Sequence, residues 1–291
     1  MREHGYHVSM LFGIPSFYHR FGYVSALIDY TILMETTEAR TFDNPFKSSI
    51  ATPGEIPLLQ KMHNANDANS ICSLIRTAAH LHNKWGRWNK WRMLKDEQGK
   101  AVAYLYAAVE RGCLYVTEVG VSEAGVCAAV VQEAARIAKS EEVTQIRFCV
   151  PPAHPLARFL GQFNSVHEGR IENGGGGMMA FINVAETLES MVPEWDSLLA
   201  KSIARELRTE FTLVLGKSAY RIRANRGAID VSTNPGASKI SLKNGDLMHL
   251  LTGYRHPNDI LESRRCILTS DARVLFTTLF PKRNPYVWRF D

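Results

Sequence analysis

The sequence predicts a mixed fold of the α+β or α/β class with more than one domain. At 291 residues the chain exceeds one average hydrophobic core. Apolar residues alternate with period two over 146–150, as in a strand, and recur at helical spacing over 126–137. Strand and helix patterns follow one another along most of the chain, so we expect mixed sheets covered by helices.

The composition is that of an ordinary globular protein. Hydrophobic residues make up 45% and charged residues 22%, with a net charge of +5. There is no run of about 18 apolar residues and no signal peptide at the start, so we expect a cytoplasmic protein without a membrane segment. The charges are dispersed, which favours no nucleic-acid partner. Five scattered cysteines without C-x-x-C spacing indicate neither disulfides nor a bound metal.

The first region reads as a strand over 7–12, a short aromatic helix over 16–21 and a second strand over 30–34. The polar stretch 35–54 is typical of a linker. Apolar spacing predicts a helix over 68–80, with Asp67 as its N-cap.

The middle region predicts a compact unit of strands and helices. Its predicted elements are a hairpin of strands 91–94 and 101–109, a strand at 113–119, the helix over 126–137, the strand ending at 150, a short helix over 155–163, and a strand pair around the glycine run 174–177. The last region predicts a separate α+β domain. Its predicted elements are a helix over 195–207, strands at 211–215, 220–224 and 228–232, and helices after 244 and over 271–280. These patterns predict three parts: 1–50, 51–193 and 194–291.

An internal repeat connects the first two parts. The segment HVSMLFGIPSFYHRFGYVS and the segment QIRFCVPPAHPLARFLGQFNSV share a strand, a proline break, a short helix, Arg-Phe and a return to strand. When the two are aligned on Arg-Phe, Tyr18 takes the place of Leu156, so only the first copy offers a proton donor. About a hundred residues precede the second copy and only six precede the first, so we expect the printed sequence to begin inside the first domain.

The residues GYHVS and FYHRFGY, over 5–9 and 17–23, resemble the element of GNAT-superfamily acetyltransferases in which the fifth strand enters the helix beside acetyl-CoA. In layout the chain resembles the enhanced-intracellular-survival branch of that superfamily. The resemblance implies the end of a GNAT domain, a degenerate GNAT-like domain and a C-terminal sterol-carrier-protein-like domain. It also implies a homo-oligomer.

The resemblance also implies roles for individual residues. Tyr18 would be the general acid that protonates the leaving CoA thiolate, and the C-terminal carboxylate, here on Asp291, would be a base. Ser16 and Phe17 would lie against acetyl-CoA, the cosubstrate. The implied reaction is direct transfer of an acetyl group to an amine of a small molecule or a protein. The resemblance also implies a Gly-rich loop for the CoA diphosphate between the fourth strand and its helix, which in the first copy would precede Met1. In the second copy this loop corresponds to 118–126, which carries two glutamates and no Gly-x-Gly element, so we expect no CoA binding there.

Simpler interpretations stay open for each motif. Taken alone, Tyr18 is more typical of a packed aromatic residue, and only the family pattern makes the catalytic role equally favoured. His80 and His82 are more typical of solvated side chains than of a metal site. The stretch 84–92 interleaves cations with tryptophans, but we favour a strand entry over a nucleic-acid platform. The glycine run 174–177 is more typical of a flexible hairpin tip than of a phosphate loop.

Two other functions remain as alternatives for the whole chain. The chain could be a catalytically silent homologue that acts as a scaffold or oligomerisation module. Alternatively, the last domain could bind lipid by analogy with sterol carriers, although its arginine-rich strands show no apolar tunnel.

Overall fold

The computed structural model describes residues 1–68, 70–77, 79 and 90–288, and the chain divides into two compact units. Unit 1 combines Met1–Ile28 with Ile171–Pro285, and unit 2 combines Asp29–Arg170 with Tyr286–Asp291. Both units are therefore built from segments far apart in sequence. The predicted division into 1–50, 51–193 and 194–291 concerns family domains, which need not coincide with compact units, and it stays a prediction.

The strands, in chain order, are β1 (Val8–Phe12), β2 (Val24–Ser25), β3 (Asp29–Glu35), β4 (Lys47–Ile50), β5 (Trp91–Lys95), β6 (Ala101–Glu110), β7 (Cys113–Val121), β8 (Gln145–Phe148), β9 (Val166–Arg170), β10 (Gly177–Phe181), β11 (Arg208–Leu215), β12 (Ser218–Asn225), β13 (Ala228–Ser232), β14 (Lys239–Leu242) and β15 (Cys266–Ile267). The α-helices are α1 (Thr36–Ala39), α2 (Ile56–Asp67), α3 (Cys127–Ser140), α4 (Pro155–Leu160), α5 (Val184–Ser190), α6 (Val192–Ala200), α7 (Asn244–Thr252), α8 (Pro257–Ser263) and α9 (Ser270–Leu279). Short 3₁₀ turns lie at Arg2–His4, Tyr18–Phe21, Pro53–Glu55 and Ala124–Val126.

Unit 2 contains a sheet in the order β4-β5-β6-β7-β8-β3-β9. Strands β7 and β8 run parallel and the other neighbours are antiparallel. The apolar face of α3, including Val130, Ala134 and Ile137, joins a core cluster with buried residues of β6, β7 and β8. A second cluster places α2 against Trp91 and Tyr104.

Unit 1 contains two sheets. The first has the order β1-β10-β2 and is antiparallel. The second has the order β13-β12-β11-β14-β15, in which β11 and β14 run parallel. Its core brings buried residues of α6 and α9, such as Trp195 and Phe276, against apolar strand residues such as Phe211.

Three predictions about local structure are wrong. Residues 35–54 are not a linker, because they contain α1 and β4, and β4 pairs with β5. The helix expected over 68–80 does not begin after Asp67, which is instead the last residue of α2; residues 70–77 are not helical, whereas residue 79 is. The strands flanking the glycine run do not pair with each other: β9 pairs with β3, whereas β10 pairs with β1 and β2.

Tertiary contacts explain why the apolar spacing after Asp67 does not produce a helix. The Ser73 hydroxyl donates to the Asp67 carboxylate, and the Ile71 carbonyl accepts from the Tyr286 amide. The Arg76 guanidinium donates to Glu118, far along the chain. These partners stabilise an irregular path over 70–77, and such context overrides helix propensity.

Most of the remaining predicted elements are confirmed with small shifts of their ends, but the helix expected over 195–207 ends at Ala200. The β5–β6 hairpin, β7, α3, β8 and the strands β11 to β13 lie where the patterns placed them. Both copies of the repeat form a strand, a short helical segment and a second strand. Over the described residues, no helix is long and apolar enough to cross a membrane.

Candidate functional site

The first repeat copy positions Tyr18 on a tight turn of unit 1. Strand β1 ends at Phe12, and the 3₁₀ turn Tyr18–Phe21 follows after Pro15. Gly22 closes this turn with φ of 85°, a conformation that glycine adopts without strain. The chain then enters β2, so the turn is fixed by strands of one sheet at both ends.

The Tyr18 ring is held by its neighbours while its hydroxyl is left free. It lies against Gly13, where a methyl group on the Cα would come within 2.3 Å of the ring. It also meets the rings of Phe17 and Tyr23 edge to face, at centroid distances of 5.0 and 6.0 Å. The described residues offer its hydroxyl no hydrogen bond, whereas the Tyr23 hydroxyl shares one with Ser9 at 2.6 Å. Tyr18 is therefore an oriented phenol with an available proton.

The glycine run packs against the Tyr18 turn and is not the flexible hairpin tip that we favoured from the sequence. The Ser16 amide donates to the Gly174 carbonyl at 2.7 Å. The Ser25 hydroxyl donates to the Gly175 carbonyl at 3.0 Å and accepts from the Gly174 amide at 3.1 Å. Sequence patterns missed Ser25, because the residues it joins are about 150 positions away.

His249 on α7 extends this hydrogen-bonded chain. Its Nε2 lies 2.9 Å from the Ser25 carbonyl oxygen, which can only accept, so Nε2 carries the proton. Burial lowers the pKa of His249 below its usual range, although the bond to Ser25 opposes the shift. The ring also stacks on Tyr254 at 4.8 Å. A neutral histidine thus holds β2 through the Ser25 carbonyl.

The structure defines what Ser16 and Phe17 could offer to acetyl-CoA. Their backbone amides are already used, since Ser16 donates to Gly174 and Phe17 donates to Ile14 at 3.3 Å. The Ser16 hydroxyl has no hydrogen bond to the described residues, and the Phe17 ring is 38% exposed. The guanidinium of Arg20 lies 3.9 Å above that ring. These side chains can contact a ligand, but this turn supplies no amide cradle for a diphosphate.

In unit 2, the turn 118–126 between β7 and α3 uses two of its backbone amides for internal hydrogen bonds. The Val121 amide donates to the Asn66 side chain and the Ser122 amide donates to the Val102 carbonyl, both at 2.8 Å. Glu118 is 1% exposed and accepts from Arg76 at 2.6 Å and from the Tyr104 hydroxyl at 3.0 Å. Occupied amides and a buried carboxylate suit internal packing. That this part binds no CoA stays a prediction.

The structure describes few residues of the other predicted sites. Asp291, the expected base, lies outside the described residues, as do His80, His82 and most of the stretch 84–92. Trp91 of that stretch is described and is 1% exposed, as expected for a strand entry. Among the described residues, no group of three or more histidine, cysteine or acidic side chains could hold a metal ion.

Comparison with known proteins identifies the fold. No family model matches the chain, and no curated protein matches it by sequence. Among solved structures, it is similar to a GCN5-related N-acetyltransferase from Anabaena variabilis, with a TM-score of 0.70, 13% identity, and coverage of 98% of this chain and 73% of that one. A probable N-acyltransferase from Enterococcus faecalis gives 0.73, 12%, 100% and 74% in the same order.

Eis1 from Mycobacterium abscessus is also similar, with a TM-score of 0.58, 12% identity, and coverage of 98% of this chain and 73% of that one. At such identities the similarity establishes the fold alone. The chain therefore has the mixed α/β fold seen in GCN5-related N-acetyltransferases, and the predicted fold class is confirmed.

Proposed function

We propose that the chain acts in acetyl transfer from acetyl-CoA to an amine, with Tyr18 as the proton donor. The observation that carries the proposal is the Tyr18 hydroxyl, which is free among the described residues at the strand-to-helix turn of an acetyltransferase fold. The amine belongs to a small molecule or a protein.

Tyr18 has what a general acid needs. Contacts with Gly13, Phe17 and Tyr23 hold its ring, so the hydroxyl keeps one direction without being consumed by an internal hydrogen bond. Acetyl-CoA would supply the acyl group and the thiolate that needs a proton. The Ser16 hydroxyl and the Phe17 ring border the same turn and would contact that end of the cosubstrate.

For the rest of the chain we propose the properties that the sequence resemblance implied. It includes the enhanced-intracellular-survival arrangement, a sterol-carrier-like C-terminal domain, a homo-oligomer and a cytoplasmic location. The carboxylate of Asp291 stays the proposed base. We assign the CoA diphosphate to neither turn, and we derive no step from its binding.

The proposal is tested by following CoA release from acetyl-CoA with a panel of amines, and by substituting Tyr18→Phe. We expect this variant to lose about 10²-fold or more in kcat, because the proton donor is gone while the ring contacts stay. Affinity for CoA, measured by calorimetry, should change little.

Tyr23→Phe is the matched control. It removes a hydroxyl from the same aromatic cluster, but that hydroxyl is bound to Ser9. Turnover should therefore survive. Equal turnover in Tyr18→Phe and the unchanged chain would remove Tyr18 as the acid, and a chain without CoA release for any amine would favour the scaffold alternative.

A further inference from the structure

A cavity of about 450 Å³ lies in unit 1 between the start of α8, the outward face of α9 and the segment that follows α9. Helix α9 buries Leu275, Phe276 and Leu279 in the core, so its residues at 273, 274 and 277 face the cavity instead. The volume is in the range of pockets that bind small molecules. We call this space the α8–α9 cavity.

The α8–α9 cavity is basic. His256, Arg273 and Lys282 line it, and the described residues around it include no aspartate or glutamate. The Arg273 guanidinium has no hydrogen bond or ion pair with any described residue. By contrast, the nearby Arg264 donates twice to the Asp246 carboxylate, at 2.7 and 2.8 Å. A concave surface with cations and no carboxylate of its own attracts an anion.

The backbone and neighbouring groups fix two of the three basic residues. The Arg283 amide donates to the Gly253 carbonyl at 2.9 Å, and the Lys282 ammonium donates to the Arg283 carbonyl. The His256 Nδ1 accepts from the Asn258 amide at 3.2 Å, so the neutral ring carries its proton on Nε2. Partial burial lowers the pKa of Lys282, a shift that a bound anion would oppose.

The same cavity has an apolar part. Pro257, Val274 and Pro281 contribute to its wall beside the basic side chains. Val274 is 41% exposed although it is a large apolar residue. A ligand that fits both parts has an anionic group attached to an apolar body.

We propose that the α8–α9 cavity binds a soluble organic phosphate monoester, with Arg273, Lys282 and His256 as donors to the phosphate oxygens. A phosphate monoester has about two negative charges at pH 7 and three terminal oxygens. Donors from three separate segments match these oxygens better than the two oxygens of a carboxylate, and a guanidinium can bind two of them at once. This inference does not depend on acetyl transfer, and its tests use no CoA.

The first test titrates phenyl phosphate, benzoate and phenol into the full chain and follows binding by calorimetry. We expect saturable binding of phenyl phosphate that weakens as the NaCl concentration rises, because the contact is between charges near the surface. Benzoate should bind at least about tenfold more weakly, and phenol should not bind. No saturable binding of phenyl phosphate, or equally tight binding of benzoate, would overturn the proposal.

The second test locates the binding site with Arg273→Gln and Lys282→Gln. Each variant should bind phenyl phosphate at least about tenfold more weakly, because one charged donor is lost. Arg265→Gln is the matched control, since it removes the same charge from an exposed arginine that does not line the cavity. Affinities of the two cavity variants equal to that of Arg265→Gln would place the phosphate elsewhere and refute the assignment.

A third measurement separates a soluble ester from a lipid headgroup that carries the same phosphate. Vesicles of phosphatidylcholine with phosphatidic acid present a phosphate monoester at a membrane surface. We expect phenyl phosphate to bind in solution and the chain not to sediment with these vesicles. Sedimentation that requires Arg273, without binding of phenyl phosphate, would contradict a soluble ligand.

Discussion

Ser25 shows at the residue scale how one side chain positions the candidate site. Its hydroxyl accepts from the Gly174 amide and donates to the Gly175 carbonyl, and its own carbonyl accepts from His249. The glycine loop in turn accepts from the Ser16 amide. Ser25 is only 9% exposed, so water cannot replace these bonds.

We expect Ser25→Ala to lower the free energy of unfolding by about 1–2 kcal/mol, because two hydrogen bonds to the loop are lost. Urea denaturation measures it. Ser190→Ala is the control, since the exposed Ser190 hydroxyl bonds only to Glu186 of its own helix. A Ser25→Ala variant as stable as Ser190→Ala would show that the loop is held by other contacts.

Tyr18 itself illustrates what the sequence could predict about the site. The alignment of the repeat singled it out, and the structure gives it a held ring and a hydroxyl without a partner among the described residues. The partners around it were not predictable, because Ser25 and the glycine loop reach the turn only through the pairing of β10 with β1 and β2. Pairing of strands so distant in sequence leaves no local pattern.

At the element scale, β10 depends on a close approach at Gly177. This residue pairs with Phe12 in the register of β1. A methyl group on its Cα would lie 2.5 Å from Leu27 Cδ1 and 2.7 Å from its Cβ. The strand can reach its place between β1 and β2 because no side chain is present there.

We therefore expect Gly177→Ala to destabilise the protein by about 1–3 kcal/mol through overpacking against Leu27. Calorimetry measures the change. In a Leu27→Ala background the loss caused by Gly177→Ala should be partly recovered, because the clashing Cγ and Cδ1 atoms are gone although the Cβ stays. Gly125→Ala serves as the control: a methyl group there meets nothing within 4 Å. No recovery in the double variant would locate the strain elsewhere.

At the scale of the whole molecule, a buried histidine makes stability depend on pH. His154 is 1% exposed, and burial lowers its pKa to about 3. Its Nδ1 accepts from the Leu156 amide at the start of α4, so protonation would break that bond. The folded chain holds fewer protons on His154 than the unfolded chain does below pH 6.5. Its stabilising contribution is therefore present above pH 6.5 and is lost as the pH falls.

Between pH 7 and pH 5, the contribution of His154 to the free energy of unfolding falls by about 2 kcal/mol. His154→Asn keeps an acceptor at the N-cap and removes the titration, so we expect a flatter pH profile of unfolding free energy over this range. His256→Asn makes the same change at an exposed cap, where His256 accepts from the Asn258 amide. An unaltered profile in His154→Asn would contradict the assignment.

The sequence by itself determined the elements whose pattern is local. Local patterns predicted the strand β8, the helix α3, the β5–β6 hairpin and the repeat. Each of these patterns depends on residues that are close together in sequence. The mixed fold class followed from their succession. Comparing the two copies singled out Tyr18 as the candidate proton donor.

Only the tertiary structure decided where distant segments go. Apolar spacing predicted a helix after Asp67, yet Arg76 binds Glu118 and Ile71 binds Tyr286, and these buried partners outweigh the small helix propensities. The sequence favoured a flexible hairpin tip for the glycine run, but the pairing of β10 with β1 places it against the Tyr18 turn. A polar side chain can be buried only where the fold brings a hydrogen-bond partner to it. The local sequence does not show which residue that partner is.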